Sequence, residues 1–114
     1  MAPLNDPNQL SQIREALSER TVEGFVQFRP LAMAWLRQNL DGHTSISVAT
    51  LMHDHIESGG EIDRVIERRE GHRDRHEFHF DFRLQIDDQR VYIETTLTST
   101  KTGPILTIVN MHHE

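Results

Sequence analysis

Between Glu77 and Ile86 the chain changes character at every residue: Phe78, Phe80, Phe82, Leu84 and Ile86 alternate with Glu77, His79, Asp81, Arg83 and Gln85. Successive side chains of an extended strand point to opposite faces, so this run forms a strand with one dry and one wet surface. A second run follows Asp87-Asp88, with Val91, Ile93, Thr95 and Leu97 on one face and Tyr92, Glu94, Thr96 and Thr98 on the other. Aspartate tolerates positive φ, so a two-residue turn at Asp87-Asp88 closes a hairpin. In that register Leu84 faces Val91, Phe82 faces Ile93 and Phe80 faces Thr95; a slip by one residue would expose an apolar face. After a loop at 99–104, Ile105 to His112 reads as a last strand, apolar on both faces and therefore central or covered on both sides.

Upstream the period is helical. Asp6-Pro7-Asn8-Gln9 supplies an N-cap carboxylate, a proline at the first helical position and a glutamine three residues after the cap. A helix from Asp6 to Arg20 follows, with Leu10, Ile13 and Leu17 inward. Thr21 caps a second helical segment carrying Val22, Phe25 and Val26, which Pro30 interrupts. From Pro30 to Leu40 the run is apolar over most of its circumference, as in a helix buried against several neighbours, and Gly42 ends it. Another helix starts at Thr44 to Ser47 and stops at Gly59-Gly60, where glycine serves only as a helix stop. Val48, Leu51, Met52, His55 and Ile56 form its inner face. Residues 61–75 read as a charged edge strand, the charges blunting aggregation. Helices first and an antiparallel meander afterwards give a single α+β domain over 1–114, with the N-terminal helices packed on one face of a C-terminal antiparallel sheet of three to four strands, in two layers.

At 114 residues the chain has room for one core. It has no cysteine, which removes disulfides, thiolate nucleophiles and sulfur-ligated metals. No apolar stretch approaches the ~20 residues of a membrane span and the start lacks signal-peptide character, so the expectation is a soluble, cytoplasmic protein without a membrane partner. Twelve basic against eighteen acidic residues give a net charge of −6, which disfavours nucleic acid unless positive charge is locally concentrated.

The hairpin register has a chemical consequence. It sets Asp81 opposite Glu94, Arg83 opposite Tyr92 and His79 opposite Thr96. Facing carboxylates repel, so something must compensate. Either they form part of a polar site, with Arg83, His79, Tyr92 and His112 or Asn110 completing it, or Arg83 and Arg90 pair diagonally with the acids on a solvated face. The candidate catalytic residues are His79, Asp81, Arg83, Glu94 and His112. Eight histidines invite a metal reading, but the spacing does not support one. His53 and Glu57 share a helix face while His55 points to the core, and no His-Glu-x-x-His motif exists, so no metal site and no cofactor is assigned. Arg64, Arg68, Arg69, Arg73 and Arg75 are outnumbered by six neighbouring acids, Glu61, Asp63, Glu67, Glu70, Asp74 and Glu77, and read as a self-neutralising segment.

The helix ending Glu57-Ser-Gly-Gly60, the charged segment after it, and the strands His76 to Ile86, Arg90 to Thr98 and Ile105 to His113 follow an order that resembles the RelE-like and colicin-type endoribonuclease-toxin superfamily. The resemblance rests on element order over the C-terminal seventy residues or so. It implies RNA cleavage without metal by His79, Arg83, Glu94 and His112 on the open sheet face. The arrangement is also similar to cystatin-like and nuclear-transport-factor-like cones, which bind small ligands or dimerise. The apolar character of both faces of the last strand favours a non-enzymatic binding or protein-interaction module, meeting a protein partner or a second copy of itself. The alternatives are a RelE-like endoribonuclease or related small hydrolase, and a metal or small-ligand binding domain.

Overall fold

A two-residue strand, β1 (Ala2–Pro3), leads into the first helix, α1 (Pro7–Ser18), in the computed structural model, which describes residues 2–71 and 75–114. The Asp6 carboxylate accepts the backbone N–H groups of Asn8 and Gln9 at 2.9 and 3.1 Å, and Pro7 occupies the first turn, where no N–H is needed. The helix ends at Ser18. Residues 21–29 then depart from the expected helix: after turns and Gly24 at φ 101°, the short strand β2 (Val26–Phe28) forms. Its backbone is claimed by the far end of the chain, Leu106 N–H donating to Phe25 O and Arg29 N–H to Ile108 O, both at 2.9 Å. Such pairing across the sequence overrides a local helical period.

Helix α2 (Pro30–Asn39) buries Ala32 and Leu36 but leaves Leu31 in solvent, so it is covered on one side and not all round. Helix α3 (Ser45–Glu57) opens with a capping box in which the Thr44 hydroxyl accepts Ser47 N–H at 3.1 Å and Thr44 N–H reaches Ser47 Oγ at 2.9 Å. Val48, Ala49, Met52 and Ile56 face inward, with Leu51 and His55 half-buried beside them.

Four strands follow: β3 (Ile62–Ile66), β4 (Phe78–Ile86), β5 (Gln89–Thr100) and β6 (Gly103–His113). Among the described residues the sheet has six strands in the order β1-β3-β4-β5-β6-β2, larger than the three to four expected. It is mixed, because β2 runs parallel to β6 while every other pair is antiparallel. The two additional strands have two and three residues, too short to show a periodicity in sequence. Among the described residues of the charged segment 61–75, 62–66 form a strand, and β1 lies outside it, so it is not the edge; Arg73 and Asp74 fall outside the described residues.

The hairpin turns at Asp87-Asp88, with Asp87 at φ 53°, and its ladder aligns Leu84 with Val91, Phe82 with Ile93, Phe80 with Thr95, Asp81 with Glu94 and Arg83 with Tyr92. The ladder stops at Phe80, so His79 pairs with Val65 of β3 and not with Thr96. Strand β6 lies between β5 and β2 and carries an irregularity: Glu94 pairs with Asn110 but Thr95 with Ile108, leaving Val109 as an extra residue. That bulge reverses the phase of the alternation. Leu106, Ile108 and Met111 are therefore all buried on one face despite their mixed parity, while Ile105 stands half-buried on the other.

All three helices pack on the dry face, α1 and α2 on β6 and α3 on β4. Phe80, Phe82, Leu84, Ile86, Val91 and Ile93 meet Ile13, Leu17, Leu36, Val48, Met52 and Ile56 there, each buried side chain of this size contributing ~1.5–3 kcal/mol. Among the described residues no helix is long and apolar enough to cross a membrane.

Candidate functional site

The face of the sheet turned away from the helices collects the polar halves of β3, β4, β5 and β6. One row across the strands is Asp63, Asp81, Glu94 and Asn110; the next is Arg83, Tyr92 and His112. Two of the predicted residues, Asp81 and Glu94, thus stand opposite each other, both buried. Arg83 and His112 lie in the adjoining row, and His79 lies one step beyond Asp81 along β4.

Asp81 is held from two sides. His79 Nδ1 is 2.8 Å from Asp81 Oδ1, and the Tyr92 hydroxyl donates to Asp81 Oδ2. A carboxylate only accepts, so His79 donates from Nδ1 in this contact. Tyr92 links the two rows. Its ring stacks on His112 at 4.7 Å and 14°, and the Arg83 guanidinium lies 5.2 Å from its centroid. Burial first, and then the hydrogen bond to Asp81, push its phenol well above the ordinary tyrosine range.

Glu94 is neutralised by a residue outside the hairpin. Arg69, just after β3, donates Nη1 to Glu94 Oε1 at 3.4 Å and Nη2 to Glu94 Oε2. The same guanidinium donates Nε to Glu67 Oε1 at 2.9 Å and Nη2 to Glu67 Oε2 at 2.7 Å, while Arg69 N–H caps Glu67 Oε1 at 3.0 Å. These donors hold the Glu67 carboxyl at about 2, against the opposing effect of burial. The compensation includes Arg69, His79 and Tyr92, which the diagonal Arg83 and Arg90 pairs did not anticipate. Arg83 goes to Asp63 and, at 3.6 Å, to Glu114; Arg90 goes to Glu114 at 3.1 Å.

The result is layered. The side chains of Asp81, Glu67 and Glu94 expose 0%, 1% and 10% of their surface, while those of Arg69, Arg83 and Arg90 expose 46%, 30% and 53%. The acids lie beneath and the bases above, with His79 between and His112 exposed. The chain is acidic, yet the groups that this face offers to a ligand are mainly hydrogen-bond donors.

Arg69 and Tyr92 are the members that anchor the network. Tyr92 was legible from the register, but Arg69 was not, because it sits in an irregular segment where no period assigns a face. Elsewhere, His53 and Glu57 do converge, at 3.8 Å, but among the described residues no three His, Asp or Glu side chains are placed to hold a metal ion. His55 is a structural histidine, with Nε2 2.7 Å from Glu61 O and its ring 6.0 Å from that of Phe82. Gly60 does more than stop a helix: a Cβ there would intrude on the His55 ring. No family model, no curated protein and no solved structure matches this chain.

Proposed function

We propose that the helix-free sheet face is an acid–base site and that the protein is a small hydrolase acting on a phosphodiester-type substrate, in the manner of the RelE-like endoribonucleases that its element order resembles. The observation that carries this reading is the layering, with guanidiniums outermost over buried carboxylates, His79 seated on Asp81 between them and His112 exposed. RNA cleavage needs a cation on the phosphoryl oxygens, a group that takes a proton from the attacking hydroxyl and one that gives a proton to the leaving oxygen. Arg83 supplies the first, held in place by Asp63 and the Tyr92 ring. His112, fixed by stacking on Tyr92, and His79, oriented by Asp81, are the proton-transfer groups. Asp81 and Glu94 act through their neighbours.

A second reading is a module that binds an acidic partner without chemistry. It is favoured by the commitment of Asp81, Glu94 and Glu67 to internal donors, which leaves the carboxylates no substrate proton to take.

Incubating the purified protein with labelled single-stranded RNA, beside His79→Ala, His112→Ala and Arg83→Ala, separates the two. The hydrolase reading expects cleavage that falls by ~10²-fold or more on loss of an acid–base group. RNA that is bound and left uncut supports the second reading. RNA that is neither bound nor cut, or cleavage indifferent to all three changes, removes the first.

A further inference from the structure

At one end of the open face the two arginines Arg83 and Arg90 already hold a carboxylate. Glu114 Oε1 lies 3.6 Å from Arg83 Nε, and Glu114 Oε2 lies 3.1 and 3.2 Å from Arg90 Nη2 and Nε. The backbone N–H of Glu114 donates to Arg90 O at 3.1 Å, which fixes the residue over the pair. The same arginines border a cavity of about 340 Å3, lined also by His55, Glu61 and Asp63. A water takes up about 30 Å3 of liquid, so the cavity has room for a small oxyanion with solvent.

We infer that Arg83 and Arg90 form a phosphate-binding site that the Glu114 side chain occupies in cis, as an internal competitor. Three observations combine here. Two guanidiniums converge on one carboxylate, the geometry that suits oxyanions. The tether is weak, because exposed ion pairs contribute only ~0.2–1 kcal/mol, so a doubly charged anion displaces it. Arg83 is positioned independently of Glu114 by Asp63, so the site persists when Glu114 leaves. The inference deepens the hydrolytic reading by naming the group that its substrate would present. It is tested separately, since binding of phosphate requires no cleavage.

Inorganic phosphate is titrated into the full chain with acetate in parallel, at constant ionic strength, and the arginine side-chain N–H resonances are followed by NMR. Wild type should bind phosphate more tightly than acetate. Glu114→Gln should bind it roughly 1.5- to fivefold more tightly again, the factor that an exposed ion pair of that strength represents. Arg90→Gln should lose most of the binding; that side chain is exposed, so the fold is unaffected. Equal affinity for phosphate in wild type and Glu114→Gln, undiminished binding in Arg90→Gln, or acetate binding as tight as phosphate would each overturn the inference. If phosphate binds as expected while RNA stays uncut, the site stands and the hydrolase does not.

Discussion

Asp81 and Glu94 face each other across β4 and β5, yet among the described residues they draw on different partners, Asp81 on His79 and Tyr92 and Glu94 on Arg69. Two like charges at this spacing would destabilise the sheet if each relied on solvent alone. Here each is held by hydrogen bonds from its own side. Arg69→Met leaves both Glu94 and Glu67 buried without their donor, and should cost about 2–3 kcal/mol in urea unfolding. Adding Glu94→Gln should recover part of that loss, so the double mutant is less than additive. Strict additivity would mean that Arg69 and Glu94 are not coupled.

Acid stability reports the Glu67 contact. The carboxyl sits at about 2 when folded, because Arg69 donates to it, against an ordinary value of 4.5 when unfolded. A depressed folded value favours the ionised native state, so this contribution is complete above about pH 4.5 and fades as the pH falls towards about 2. Arg69 is half exposed and screened, which limits the effect to ~1–2 kcal/mol. The urea midpoint should drop over this interval in wild type and drop less in Glu67→Gln. Identical slopes would place the acid sensitivity elsewhere.

Tyr92 is the single tyrosine of the chain, so phenolate absorbance reads one residue. Burial and the hydrogen bond to Asp81 raise its folded value, so the native protein should show almost no phenolate at about pH 10, where an ordinary tyrosine is half ionised. The stability that this provides is complete below about pH 10 and declines above it. In Asp81→Asn the phenolate should appear at lower pH. A normal titration in the folded wild type would show that the hydroxyl is solvated.

Gly60→Ala drives a methyl group into the His55 ring, whose Nε2 is pinned to Glu61 O at 2.7 Å. Overpacking of this kind costs ~1–3 kcal/mol. In a His55→Ser background, the same substitution should cost far less. A thermal melt of the four proteins decides it; an equal cost in both backgrounds would move the strain to another neighbour.

Much of the fold was readable because β4 and β5 alternate without a break over Phe78 to Ile86 and Val91 to Thr98. The turn aspartates left one register that buries both apolar faces, and Asp81 opposite Glu94 followed from it. What stayed hidden depends on contacts distant in sequence. β2 exists because β6 supplies a parallel partner to three residues, and Arg69 acts as a clasp because the segment after β3 returns over the sheet. The parity of β6 was hidden for a simpler reason: one inserted residue, Val109, brings Met111 onto the inner face with Leu106 and Ile108, while Ile105 stays on the outer one.

That inserted residue also limits how the chain can be assembled. Above it β6 faces inward through its even positions, and below it through Met111, so sliding β6 along β5 by a single residue would mismatch both stretches at once. Only one alignment satisfies the two together, and it is the one that delivers His112 to the Tyr92 ring. A flaw in the ladder thereby works as a vernier, fixing where an otherwise repetitive strand comes to rest.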